Sequence, residues 1–178
     1  MKTNQNSTSF LKIICKKSFY ICTLVMALAF AGCKDDDDDD NNNTQPANTN
    51  VDRDFMVNVA LSNLAEIELG QVAATRGALD TVKAYGRAMV AEHTLAQNEL
   101  KTLAANKQVT LPTTLDTMHV ALKQRLQNLS GRQFDSVYVN SQIMDHTKTK
   151  AIFETEINAG KDADVKSYAN KNLPHINM

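Results

Sequence analysis

Four ionisable side chains occupy matching places in the two halves of the region after residue 50. Glu66 and His93 lie in the first half, and His146 and His175 lie in the second. The first three fall on the apolar stripes of predicted helices, where burial without a partner is costly. One carboxylate and two or three imidazoles that meet inside a helical bundle could bind Zn, Fe or Mn. A hydrogen-bonded network without a metal would satisfy the same residues, and the sequence favours this plainer interpretation.

Other reactive constellations are missing from the sequence. A di-iron site of the ferritin type needs Glu-x-x-His on two helices, but Glu92 and Asp145 directly precede His93 and His146. Adjacent helical residues point about 100° apart, so these acids cannot share the face of the histidines. The sequence also has no nucleophile elbow and no glycine-rich phosphate loop. It therefore favours a protein without enzymatic activity. We expect His119 to be exposed near a crossover, and Asp135 to cap or brace the bundle.

The elements that must position these residues are helices. Gly and Pro are scarce after Val51, and apolar residues recur at spacings of three and four. The pattern predicts helices over 52–75, 79–106, 115–129 and 132–158 and a last one from about 162, with Asp52 as the first N-cap. Two helical hairpins joined by a longer crossover are the layout of a ferritin-like four-helix bundle. The sequence of residues 79–85 resembles that of residues 163–168, and this short internal repeat supports two hairpins of similar design. The sequence therefore predicts an all-α domain over 51–178, with an extra short crossover helix.

The N-terminal part of the chain has the pattern of an export signal. Residues 1–32 combine lysines, a short apolar run and small residues before Cys33. This junction resembles a bacterial lipoprotein box, which implies cleavage before Cys33 and attachment of acyl chains such as palmitate. Two or more acyl chains give durable membrane anchoring. An uncleaved anchor and a plain secretory signal are the alternatives. Residues 33–50 are rich in Asp and Asn and predict a disordered acidic tether.

Charge and cysteine content exclude some classes of partner. Without the signal and the tether, acidic and basic residues are equal in number, and no basic patch stands out. Nucleic acid is therefore not an expected partner. Cys15 and Cys22 lie in the predicted signal peptide, and Cys33 is the predicted lipidation site. The mature domain would then have neither a free thiol nor a disulfide.

Several short motifs resemble the family called domain of unknown function 4142. They occur in order along the chain and include Asn63-Leu64-Ala65-Glu66-Ile67, Met89-Val90 with His93, Leu111-Pro112, Leu129-Ser130-Gly131, Phe134-Asp135 with Tyr138, His146, and Leu173-Pro174. The resemblance implies a ferritin-like helical fold and a bacterial envelope location, without an established activity. The family pattern usually places a His several residues after Leu-Pro in a longer final helix. Here His175 follows Pro174 directly, which departs from that pattern.

Two hypotheses about function follow from the sequence. The first is an outer-membrane lipoprotein, on the cell surface or the periplasmic face, that is anchored through Cys33 and whose bundle binds an envelope protein or has a structural role. The second is a metal-binding or metal-dependent redox or stress protein that uses Glu66, His93, His146 and His175. The second hypothesis requires these side chains to lie close together in the folded protein, whereas the first does not.

Overall fold

The computed structural model describes residues 50–177, and all of its regular elements are helices. The five helices are α1 (Asn50–Arg76), α2 (Asp80–Asn106), α3 (Thr117–Gln127), α4 (Gly131–Ala159) and α5 (Ala163–Ile176). The predicted all-α class is confirmed, and each predicted helix is present within a few residues of its expected bounds. The last helix continues through Pro174, which contributes no backbone N–H to it.

Some predictions concern residues outside this range. The signal peptide, Cys33 and the acidic tether up to residue 49 lie outside the described residues. Within residues 50–177, none of the helices combines the length and the apolar character that a membrane span requires.

The first helical hairpin depends on a close approach of two glycines. α1 and α2 run antiparallel, so that Asn63 lies opposite Gln97 and Gly70 lies opposite Gly86. A Cβ atom at Gly86 would lie 2.7 Å from the Gly70 carbonyl oxygen and 2.8 Å from the Ala74 nitrogen. These contacts are with backbone, which cannot move aside as a flexible side chain can. The glycines therefore set the distance between the two helices that supply Glu66 and His93.

The start of α2 is fixed by a carboxylate from α4. Asp135 accepts hydrogen bonds from the backbone nitrogens of Ala78 and Leu79, at 2.8 and 3.0 Å. Backbone N–H groups at a helix start have no partner within their own helix. Asp135 supplies one from outside, as the sequence analysis predicted.

At the other end of the bundle, a group of buried carboxyl groups connects the helices. The predicted role of Asp52 as an N-cap is wrong, because α1 begins at Asn50 and Asp52 lies in its first turn. The carboxylate of Asp52 instead accepts hydrogen bonds from the backbone nitrogens of Lys161 and Asp162, each at 2.9 Å. Asp162 caps α5 and pairs with Lys107 at 2.8 Å. Glu156 is also fully buried here, where a Cβ on Gly160 would clash with its carboxyl group.

The prediction that His119 is exposed is wrong. His119 is only 6 % exposed. Its Nδ1 lies 2.8 Å from Asp116 in the crossover, and its Nε2 lies 3.6 Å from Asp145 on α4. Asp145 and Asp116 raise the pKa of His119 above its ordinary value, and burial opposes this shift. His119 therefore attaches the short crossover helix to the second hairpin.

A polar layer separates two apolar clusters in the bundle interior. One cluster surrounds the edge-to-face pair Phe55 and Phe153, whose ring centroids are 5.0 Å apart. The other surrounds Phe134 and Tyr138. Between them lie the buried or partly buried polar side chains Asn63, Glu66, His93, Gln97, Gln142 and His146. The ionisable groups are thus concentrated halfway along the bundle, between the two apolar clusters.

Candidate metal centre

Three of the four predicted site residues meet in the polar layer. Glu66 comes from α1, His93 from α2 and His146 from α4. Each offers one ligand atom, and these atoms all lie within 4.8 Å of one another. Among residues 50–177 this is the one group of three or more His, Cys, Asp or Glu residues that meets this criterion. Three separate helices therefore bring the predicted donors to one point.

Glu66 is a buried carboxyl group with one oxygen atom that makes no hydrogen bond to the described residues. The residue is 2 % exposed, and its Oε2 accepts no hydrogen bond from the described part of the chain. Burial raises the pKa of Glu66 to about 8, and the charge of Asp145 contributes in the same direction. Gln142 and His119 oppose that shift. At neutral pH the folded protein therefore holds Glu66 mainly in its protonated form, and a bound cation would have to displace this proton.

His93 is held in one tautomer by a short chain of amides. Its Nδ1 lies 2.9 Å from Oδ1 of Asn63, whose amide nitrogen donates to Gln97 at 3.1 Å. With the amide assigned this way, Nδ1 of His93 carries the proton and Nε2 keeps its lone pair. Burial lowers the pKa of His93 to about 4, and the charges of His146 and His175 contribute to this shift. His93 is therefore neutral at physiological pH, which is the form that binds metals.

His146 is oriented in the same way by a backbone carbonyl. Its Nδ1 lies 3.2 Å from the carbonyl oxygen of Ile176, which can only accept a hydrogen bond. Nδ1 therefore carries the proton. Nε2 keeps its lone pair and lies 3.8 Å from Oε1 of Glu66. Burial lowers the pKa of His146, against the opposing effect of the Ile176 carbonyl. With the imidazole neutral and Glu66 protonated, these two groups do not form an ion pair.

The three donors come close to the spacing of an open metal site, since their ligand atoms all lie within 4.8 Å of one another. Bonds of 2.0 to 2.2 Å at tetrahedral angles place ligand atoms roughly 3.3 to 3.6 Å apart. The separation of 3.8 Å between Glu66 and His146 is close to that range. A second hydrogen bond that fixes the other ring nitrogen is the usual arrangement for metal-binding histidines. Two imidazoles and one carboxylate fit Zn, Fe or Mn and leave at least one coordination position open.

The fourth predicted residue, His175, lies apart from this cluster. It is exposed near the end of α5 and lines a cavity of about 160 Å³ together with His93 and Glu92. It is close enough for its charge to lower the pKa of His93. The structure therefore places His175 at the mouth of a cavity beside His93, and not among the three donors.

The residues that contact the three donor side chains could not be recognised from the sequence. Asn63 and Gln142 looked like ordinary polar positions, since nothing in one sequence indicates which neighbour an amide will meet. A repeated pattern could have indicated the site, because Tyr85 precedes His93 by the same number of residues as Tyr138 precedes His146. In both segments an acid stands directly before the His. The structure pairs the two histidines with ring centroids 6.0 Å apart and the two tyrosines 6.2 Å apart.

Residues 38–178 match the family described as Domain of unknown function (DUF4142). The chain belongs to this family. The match covers most of the chain, including every residue of the candidate metal centre, and it confirms the family that the motifs predicted. No curated protein and no solved structure matches the chain. Membership of the DUF4142 family carries no activity with it, so function has to be argued from the site.

Proposed function

We propose that the helical domain binds one divalent metal ion, with Glu66, His93 and His146 as its protein ligands. The observation that carries this proposal is the convergence of three donor atoms within 4.8 Å, from three helices, in the bundle interior. Zn, Fe and Mn are the candidate ions, because each accepts imidazole nitrogen together with carboxylate oxygen.

The electrostatics of the metal-free site support this proposal over a purely structural network. In a satisfied hydrogen-bonded network each buried polar atom has a partner. Here Oε2 of Glu66 and Nε2 of His146 make no hydrogen bond within the described residues. Both imidazoles direct a proton away from the site, so neither Nδ1–H is available to Glu66. A cation that displaces the Glu66 proton would bind the resulting carboxylate and the lone pairs on Nε2 of His93 and His146.

The first prediction concerns metal retained by the purified protein. The full chain, without a histidine tag, is expected to retain close to one metal ion per molecule. The double variant His93→Ala, His146→Ala is expected to retain essentially none, because one carboxylate alone binds a divalent ion weakly. Elemental analysis of protein dialysed against metal-free buffer would measure this, and circular dichroism would verify that the variant is still helical.

Two single variants are matched controls for that experiment. His119→Ala removes a buried His that pairs with Asp116 and Asp145 and lies outside the cluster. His175→Ala removes the exposed residue at the cavity mouth. Both are expected to retain metal near the wild-type amount. A folded wild type that is free of metal, or equal metal in the double variant, would contradict the proposal.

We further propose that the domain is held at an envelope membrane through lipid on Cys33. The small residues before Cys33 and the acidic segment after it motivate this proposal. The Cys33→Ser variant is expected to move from the membrane fraction to the soluble fraction after cell lysis. An unchanged distribution would contradict lipid anchoring. Binding of an envelope protein partner is the alternative function of the bundle, and a metal-free wild type would favour it.

A further inference from the structure

The cavity beside His93, between α2 and α5, touches the candidate metal centre. Its volume is about 160 Å³, and His93 and Asn63 lie in its wall. Asn63 occupies Nδ1 of His93. Nε2 of His93, the atom that would bind the metal, makes no hydrogen bond to the described residues and is not fully buried. A donor atom of the centre therefore keeps contact with solvent beside this cavity.

A groove between α2 and α4 is a poorer route to the same centre. His146 is the one donor residue that lines it. Both Nε2 of His146 and Oε2 of Glu66 are fully buried. A cation in this groove would therefore meet a side of His146 from which the donor atom is covered.

Two polar side chains in the cavity beside His93 are available to hold a cation. Glu92 on α2 and His175 on α5 both line it. Neither makes an ion pair or a hydrogen bond with another residue of the range 50–177. Glu99 and Lys171 line the same cavity but neutralise each other, with their charged groups 2.7 Å apart. Glu92 therefore leaves one negative charge in the cavity that no ion pair neutralises.

Glu92 and His175 lie near enough to the donors to act on them electrostatically. Burial lowers the pKa of His146, and the charge of Glu92 opposes this shift. Burial also lowers the pKa of His93, and the charges of His146 and His175 add to that shift. The two side chains and the donor atom of His93 thus belong to one electrostatic environment.

We propose that this cavity is the entry path of the metal ion, and that Glu92 and His175 form a capture site where a hydrated divalent cation binds before it reaches Glu66, His93 and His146. A buried metal site needs an entry path. A cleft lined by charge of one sign raises the local concentration of counter-ions, and with it the association rate, by about 10- to 1,000-fold. This inference rests on the proposed metal binding and adds the route by which the ion arrives.

The capture site is tested by the rate at which Co²⁺ binds to the full chain after a chelator has removed its metal. The visible spectrum of Co²⁺ is followed after rapid mixing. The double variant Glu92→Gln, His175→Ala is expected to slow association by about tenfold or more at low ionic strength, and by less in high salt. Its Co²⁺ content at saturation is expected to equal that of the wild type, because the three donor side chains are intact.

The double variant Glu99→Gln, Lys171→Gln is the matched control. It removes the ion pair from the same cavity and leaves the net charge unchanged. Its association rate is expected to stay within about twofold of the wild-type rate, since the charge that attracts the cation is still present.

Two tryptophan variants show which side of the bundle the ion uses. Leu95 lines the cavity beside His93 and is 68 % exposed, so Leu95→Trp narrows this path. It is expected to slow both the uptake of Co²⁺ and its release to excess chelator, because the ion takes the same path in both directions. Ile143→Trp is the matched control, since Ile143 is 60 % exposed in the α2/α4 groove. It is expected to leave both rates unchanged.

The outcomes separate the entry path from the metal site. If Co²⁺ binds to all variants at the wild-type rate, or if Ile143→Trp slows uptake and Leu95→Trp does not, the entry path is overturned and metal binding stands. If Glu92→Gln, His175→Ala lowers the Co²⁺ content at saturation, these residues are ligands of the bound ion, and the capture site is overturned. If the wild type binds no Co²⁺, the metal proposal fails and the entry path fails with it.

Discussion

In the presence of a chelator, Glu66→Met is expected to be more stable than the wild type by about 1 to 3 kcal/mol at pH 7, because a buried carboxyl is replaced by an apolar side chain of similar length. With metal added, the order should reverse. An ion present at about 1,000 times its dissociation constant stabilises the wild type by about 4.1 kcal/mol, and the variant has lost a ligand. Urea denaturation with chelator and with Zn²⁺ would measure both differences.

The reversal distinguishes a metal site from a structural polar network. If Glu66 belonged to a satisfied network, its loss would leave buried partners without hydrogen bonds and would destabilise the metal-free protein. Glu68→Met is a matched control on the same helix. Glu68 pairs with Lys123 in a partly exposed position at 2.7 Å, and such pairs contribute about 0 to 1 kcal/mol. The stability of this control variant should respond to Zn²⁺ as the wild type does.

The contribution of Glu156 to the stability of the wild type is expected to fall as the pH rises from about 4.5 through 7. Burial, followed by the charge of Asp52, raises the pKa of Glu156 from 4.5 to about 7, and Lys166 opposes this. The folded protein therefore keeps a proton that the unfolded chain has already lost in this window, so stability decreases as pH rises. Above about pH 8 the contribution is constant. The expected loss is about 3 kcal/mol.

Replacement of Glu156 by Gln should remove this part of the pH dependence. Glu156→Gln mimics the protonated acid, so it should be within about 1 kcal/mol of the wild type at pH 5 and exceed it by about 2 to 3 kcal/mol at pH 8. The charged groups that face this position are Asp52, Asp162 and Lys166, with Lys107 paired to Asp162. Denaturation at both pH values, with a chelator, would measure the difference. Equal slopes in the wild type and Glu156→Gln would contradict the assignment, and Glu154→Gln, exposed on the same helix, should change nothing.

The helices could be predicted from sequence because their signals are local. Periodicity, scarce glycine and a few turn residues determine where each helix begins and ends. The same pattern predicted that Glu66, His93 and His146 lie on the buried faces of their helices. It could not predict that the three side chains meet, because this depends on the axial register between helices. That register is set by contacts such as Gly70 against Gly86, which join residues far apart in sequence.

The errors have the same origin. The position of His119 near the crossover predicts an exposed side chain. It is buried because Asp145, on another helix, provides its second carboxylate. Asp52 looked like a local cap, but the turn between α4 and α5 uses its carboxylate. In both cases a polar side chain near a predicted helix end found a partner from the other half of the chain. One sequence without an alignment gives no access to such pairs.

The hydrogen bond between His146 and Ile176 gives the candidate metal ligand a second role. The last carbonyl groups of a helix have no partner within that helix. The imidazole of His146 satisfies one of them and so acts as a C-terminal cap for α5. Any event that turns this ring also changes how firmly the final turn is held. The order of the C-terminal residues and the state of the site are thermodynamically linked, and each reports on the other.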